Sequence, residues 1–253
     1  MRMPTGMPTG MPTGMPTRTT LRLWALLLAV ALVAAACGLG RQGGGAGGPA
    51  AARSAGLVFD ANGELVLHHR KLMPTYKERT VWGQGDGSSL ATVELNGARI
   101  GGLLCWENLM PLARQALYAQ GEQVHLAPTA DTGVPWQASL RHIAYEGRVF
   151  VVSCCQVLHR TTFPDDPALA GFAVDAGWLI SGGTAIVSPA GDCDYLAGPV
   201  YGEETILYAD LDLEKVVEAK HSFDVAGHYA RPDVLELRIN RERRAPLLHM
   251  GRQ

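Results

Sequence analysis

Residues 103–112 read LLCWENLMPL, placing a single thiol, Cys105, between an apolar run and a Trp-Glu pair. A free cysteine there is either a small buried hydrophobe or, as thiolate, a nucleophile. A second block, HHRKLMPTYKER at 68–79, is strongly polar and carries Lys71 and Glu78. A lysine beside a thiol favours the thiolate and can hold the charge of a tetrahedral intermediate. Glu78 is then either a surface carboxylate or the group that fixes Lys71. Most lysines are simply solvated, so spacing alone leaves both readings open.

Other motifs exclude other chemistries. WGQGDG at 82–87 lacks the Lys-Ser/Thr of a phosphate loop and has no βαβ unit around it, so it reads as a tight glycine-permitted loop. The eight histidines show no HExxH or comparable ligand spacing, and no metal or other cofactor is expected. A net charge of −2 and a pI near 6.4 give no electrostatic reason to expect nucleic acid as a partner. The five cysteines, at 37, 105, 154, 155 and 193, form no CxxC pattern and fit a reducing compartment better than a disulfide framework. Cys154 and Cys155 fall in an apolar strand pattern, pointing to opposite faces with core packing as their expected role, and Cys193 falls in a turn.

The elements that must position Cys105 can be read from periodicity and turn chemistry. GLVF and ELVLHH flank Asp60-Ala61-Asn62-Gly63, and ATVEL and ARIGGLL flank Asn96-Gly97, so two hairpins are expected. PLARQALYAQG reads as a helix with Pro111 in its first turn and Gly121 at its stop, and EQVHLAP as the next strand. Cys105 therefore falls at the carboxyl end of a strand, at the turn into a helix, where ligands bind in α/β folds and where a helix N-terminus favours thiolate. WQASLRHIAYEGR carries Trp136, Leu140, Ile143 and Ala144 at helical spacing and leads into the strand VFVVSCC. GGTAIVSPAGDCDYLAG reads as a hairpin, EETILYADLD as a strand and LEKVVEAK as a short helix. Hairpins and helical crossovers together imply an α/β domain with mixed sheets over residues 56–240, followed by a polar tail at 241–253.

The N-terminal part is of another character. Residues 1–20 contain MPTG three times followed by MPT, a repeat with little apolar surface that is expected to be disordered. LRLWALLLAVALVAAACGLG at 21–40, with Arg2, Arg18 and Arg22 at its head, has the shape of a secretory signal with a loose lipoprotein-like site at Cys37. At about 20 apolar residues it also suits a marginal membrane span. The competing reading is that this segment is not native to the domain. Residues 41–55 read as a flexible Gly/Ala linker.

The blocks HRKLMPTYKERTVWGQGDG, GGLLCWENLMPLARQALYAQGEQVHLAPTAD, RHIAYEGRVFVVSCCQ, GPVYGEETILYADLDL and FDVAGHYARPD stand in the order found in nitrilases of the carbon-nitrogen hydrolase superfamily. The chain resembles that family over about residues 56–238, and Cys105-Trp106-Glu107-Asn108 resembles the nitrilase branch in particular. The resemblance implies a partial α-β-β-α sandwich that pairs into dimers and longer assemblies, and a Glu-Lys-Cys triad. Cys105 matches the nucleophile, Lys71 the lysine and Glu78 the additional glutamate near it. Trp106, Thr129, Ala130, Asp131 and the loop through Trp136 match a segment beside the substrate pocket. It implies a small-molecule nitrile as substrate, converted to carboxylic acid and ammonia through a thioimidate and a thioester. Amidase and cyanide hydratase are the neighbouring enzyme readings, with Trp106 and Glu107 favouring nitrilase over amidase.

One member of the triad is missing from the match. The only carboxylates between residue 56 and Lys71 are Asp60 and Glu64, both in a hairpin and neither in the Pro-Glu context of the family's general base. The expectation is a domain lacking its N-terminal part, impaired in folding, and either a weakened enzyme or an inactive fragment or interaction subunit. The family implies the cytoplasm, whereas a genuine segment at 21–40 implies export or a membrane anchor.

Overall fold

The computed structural model describes residues 54–162 and 177–244. The expected repeat, the apolar segment, the linker up to residue 53 and the tail from residue 245 lie outside them. The linker boundary moves slightly: Ala55 already opens a strand, and the Ser54 carbonyl accepts the Lys71 N–H at 2.9 Å.

Strands β1 (Ala55–Phe59) and β2 (Leu65–Arg70) form an antiparallel hairpin. Its turn is built by Asp60, whose Oδ1 accepts the N–H groups of Asn62 (2.8 Å) and Glu64 (2.9 Å). Strands β3 (Val93–Leu95) and β4 (Ala98–Gly102) form the second hairpin, with Asn96 and Gly97 both in the left-handed region that a two-residue turn of this hand requires. β4 then starts a parallel run with β5 (Val124–Leu126) and β6 (Phe150–Ser153). β8 (Trp178–Val187) pairs antiparallel with β6, with β7 (Val157–His159) and with β9 (Tyr195–Tyr201). The result is a mixed sheet of seven strands beside the two-stranded β1-β2 sheet.

Register sorts the parallel strands into two faces. Ile100, Val124 and Phe150 share one row and bury against Val58 of β1, Leu67 of β2 and Val216 of the helix α3 (Glu214–Ser222). The next row, Gly101, His125 and Val151, turns to the other face. That face is covered by α1 (Pro111–Tyr118) and α2 (Val134–Gly147). Gly147 is required where these helices meet, since a Cβ there would lie 2.3 Å from the Tyr118 ring. Layers of helix, sheet and hairpin thus give the mixed α/β fold expected.

Three local expectations need correction. EETILYADLD forms no strand: residues 203–212 pair with no ladder and expose Ile206 and Tyr208, because alternating apolar residues make a strand only where a partner offers hydrogen bonds. β6 ends at Ser153, so Cys154 lies past the strand and is exposed, while Cys155 is buried. The polar tail begins later than expected, since the Arg244 N–H donates to Asp86 and Arg241 to the Leu90 carbonyl. Among the described residues no helix is long and apolar enough to cross a membrane.

Candidate active site

β4 delivers the chain to Leu103 and Leu104, and Cys105 opens a 3₁₀ turn, Cys105–Leu109, that precedes α1. The expected strand-to-helix junction is present, with this turn inserted before the helix. Cys105 has a φ of 53°, a left-handed conformation that a side-chain-bearing residue adopts only when its surroundings impose it. Its N–H donates to the Pro128 carbonyl at 2.8 Å, which spends that donor. The first carbonyl of the turn, that of Leu104, accepts the Glu107 N–H, and the N–H that follows Cys105 in the chain is that of Trp106.

The thiol itself faces a hydroxyl. Thr129 Oγ1 donates to Cys105 Sγ at 3.2 Å and accepts the Asp131 N–H at 2.9 Å. Asp131 also binds the Gly133 N–H (2.8 Å) and the Trp106 indole N–H (2.6 Å), closing a ring of contacts from Cys105 through Thr129 and Asp131 to Trp106. Ala130 is exposed beside this ring. Trp136 does not join it. Only 1% exposed, it packs into the core from the inner face of α2 with its indole N–H on Ser153 Oγ.

Lys71 is almost fully buried, and its Nζ lies 2.7 Å from Glu78 Oε2, which also accepts the Thr75 N–H at 2.6 Å. The glycine loop at 82–87 lies against this segment. The Gly85 N–H donates to the Lys71 carbonyl, and a Cβ on Gly85 would meet the Arg70 carbonyl at 2.3 Å. The loop's glycines thus serve close backbone approach.

Sequence reasoning singled out Glu107 as a mark of the nitrilase branch but not as the residue that joins the two blocks. Glu107, 2% exposed, accepts the Leu72 N–H at 2.6 Å through Oε1 and the Leu104 N–H at 2.9 Å through Oε2, and both oxygens lie about 3 Å from His69 Nε2. One carboxylate thereby ties the residue after Lys71 to the residue before Cys105. Asn108, His125 and Glu122 were also missed, and all three are fully buried. The signal for them was His125 set between Val124 and Leu126 in EQVHLAP, with Glu122 three residues ahead of it.

Burial tunes the neighbouring thiols the opposite way from a nucleophile: it pushes Cys155 up to about 12 and raises Cys154 and Cys193 as well. Among the described residues no group of three or more His, Cys, Asp or Glu side chains is placed to hold a metal ion.

A family model described as carbon-nitrogen hydrolase matches residues 13–221. A nitrilase of Bradyrhizobium diazoefficiens is 48% identical over 184 residues, covering 73% of this chain and 57% of its own length. An aliphatic nitrilase of Sinorhizobium fredii is 48% identical over 186 residues (74% and 59%), and nitrilase 2 of Arabidopsis thaliana is 43% identical over 205 residues (78% and 59%). Among solved structures, a carbon-nitrogen hydrolase from Helicobacter pylori G27 superposes with a TM-score of 0.56 at 21% identity, over 68% of this chain and 60% of that one. Saccharomyces cerevisiae Nit3 does so with a TM-score of 0.54 at 20% identity, over 70% and 59%. At such identities the structural likeness speaks to fold alone. The chain spans 57–59% of the length of these nitrilase relatives.

Proposed function

The chain belongs to the carbon-nitrogen hydrolase family, and on that premise we propose that it is a nitrilase-type hydrolase in which Cys105 is the nucleophile. The observation that carries the reading is the left-handed Cys105 at the end of β4, tied through Glu107 to the segment of the Lys71–Glu78 pair. The Cys105 thiolate adds to the nitrile carbon, and protonation of nitrogen gives a thioimidate. Water adds to that carbon and ammonia leaves, giving a thioester, and a second water releases the carboxylic acid and the thiol. Lys71 and the Trp106 N–H are the donors for charge developing on the substrate. Thr129 donates to sulfur, and Glu78 holds Lys71 in place.

Proton transfer from the thiol and to water needs a base. Among the described residues no carboxylate is hydrogen-bonded to Cys105, and Glu78 is engaged by Lys71 and Thr75. This observation supports a second reading, in which the chain retains the nucleophile but turns over weakly or not at all, since a positioned base typically contributes about 10²- to 10⁴-fold in rate. Ammonia release from a panel of aliphatic and aromatic nitriles, measured against Cys105→Ala, separates the readings. Turnover above that variant is expected for the hydrolase; equality with it across the panel supports the second.

A further inference from the structure

Beneath the nucleophile lies a chain of fully buried polar groups that the chemistry above does not use. Asn108 Nδ2 donates to the Leu103 carbonyl at 2.7 Å and to the Cys105 carbonyl at 2.9 Å. Two carbonyls can only accept, so the amide nitrogen must face them and Oδ1 must face away. Oδ1 meets His125 Nε2 at 2.6 Å, and the ring's other nitrogen, Nδ1, faces both carboxylate oxygens of Glu122 at 3.0 Å. Oδ1 has no proton to give, so Nε2 carries one. The Glu122–Nδ1 contact needs a second, and the pair therefore holds a proton at each end of the ring. Gly101 leaves the space that Glu122 Oε1 occupies, because a Cβ there would lie 2.3 Å from it.

Buried polar contacts of this kind are weak as a source of stability, since desolvation offsets most of their attraction. What they do here is local. They fix the Asn108 amide, and that amide grips the carbonyl of the one residue held left-handed at the reacting position. From the other side, Glu107, itself paired to His69, grips the N–H of the preceding residue, Leu104. The backbone of the elbow is clamped on both sides by carboxylate-imidazole pairs.

We propose that Glu122, His125 and Asn108 form a positioning relay that holds the Cys105 backbone left-handed and so aims its sulfur at Thr129. The proposal rests on the reading of Cys105 as nucleophile. His125→Phe removes the donor to Asn108 at similar bulk, and His125→Gln restores one.

The test is the rate and pH profile of alkylation by iodoacetamide in the full chain, resolved by peptide mass spectrometry for each cysteine. In the unsubstituted protein Cys105 is expected to react faster than the exposed Cys154. His125→Phe is expected to slow Cys105 about tenfold and displace its profile to higher pH, with Cys154 unchanged, Cys155 and Cys193 still protected, and His125→Gln recovering most of the rate. Cys105 reacting no faster than Cys154 from the start overturns the nucleophile reading and the relay with it. A fast Cys105 indifferent to His125→Phe overturns the relay alone. So does a loss in which Cys155 and Cys193 become reactive in both variants, since that marks unfolding. Because no nitrile is involved, failure of turnover and failure of positioning are read separately.

Discussion

At the scale of single residues, one hydroxyl and one carboxylate do most to turn an apolar cysteine into a candidate nucleophile. Thr129 is 2% exposed, accepts the Asp131 N–H and donates its hydroxyl proton to the Cys105 sulfur. Thr129→Val keeps the shape and deletes that donor. Cys105 alkylation near neutral pH is therefore expected to fall by about three- to tenfold, in line with about 1 kcal/mol for one hydrogen bond, while Thr129→Ser retains the rate. Glu107 is more exacting, because it accepts from Leu72, Leu104 and His69 at once. Glu107→Leu leaves the buried Leu104 N–H and the half-buried Leu72 N–H without acceptors, at about 1–3 kcal/mol for a buried one. Urea unfolding should show a loss of that order, and a loss under 1 kcal/mol would mean that the carboxylate is not the strut described.

At the scale of elements, the parallel strands β4 and β5 approach so closely that glycine is needed between them. A Cβ on Gly102 would lie 2.4 Å from the Leu126 carbonyl, which is backbone and cannot swing aside. Gly102→Ala should thus destabilise the protein by about 1–3 kcal/mol and lower Cys105 alkylation, because Gly102 stands just ahead of the elbow. A thermal melt and the cysteine-resolved assay check the two halves. Both hairpins, the three helices and the placement of Cys105 at a strand end were legible, because Asn-Gly turns, a helix-starting proline and 3.6-residue spacing are local signals. EETILYADLD misled because alternation records which side chains are apolar and says nothing of whether a neighbouring strand exists. Trp136, which the resemblance matched to a pocket segment, shares its helical spacing with Leu140 and Ile143 and is buried with them. The pairs Glu107–His69 and His125–Glu122 were hidden differently, since the first joins residues 38 positions apart and the second acts on the elbow only through Asn108.

At the scale of the whole molecule, charge clusters join segments far apart in the chain and set its response to acid. Burial pushes the Asp86 carboxyl up, but hydrogen bonds from Ser88 and the Arg244 N–H, with the charge of Arg70, outweigh it and hold the group well below the usual carboxylate range. Burial likewise raises Glu146, and the Arg114 guanidinium, gripping it at 2.7 Å across α1 and α2, brings it down on balance. Both groups bind protons more readily unfolded than folded. Their contribution to stability is therefore complete above the ordinary carboxylate range, at about pH 5, and drains away as the pH falls through that range toward the depressed folded values. Unfolding free energy from urea titrations should accordingly rise with pH between about 2 and 5. Asp86→Asn should flatten that rise while lowering stability at neutral pH, because an amide cannot answer both Arg70 and the Arg244 N–H as a carboxylate does. An unchanged slope in Asp86→Asn would move the acid sensitivity to Glu146, and Glu146→Gln measured over the same range decides that alternative, since its loss falls on the α1–α2 contact and leaves the Asp86 cluster intact.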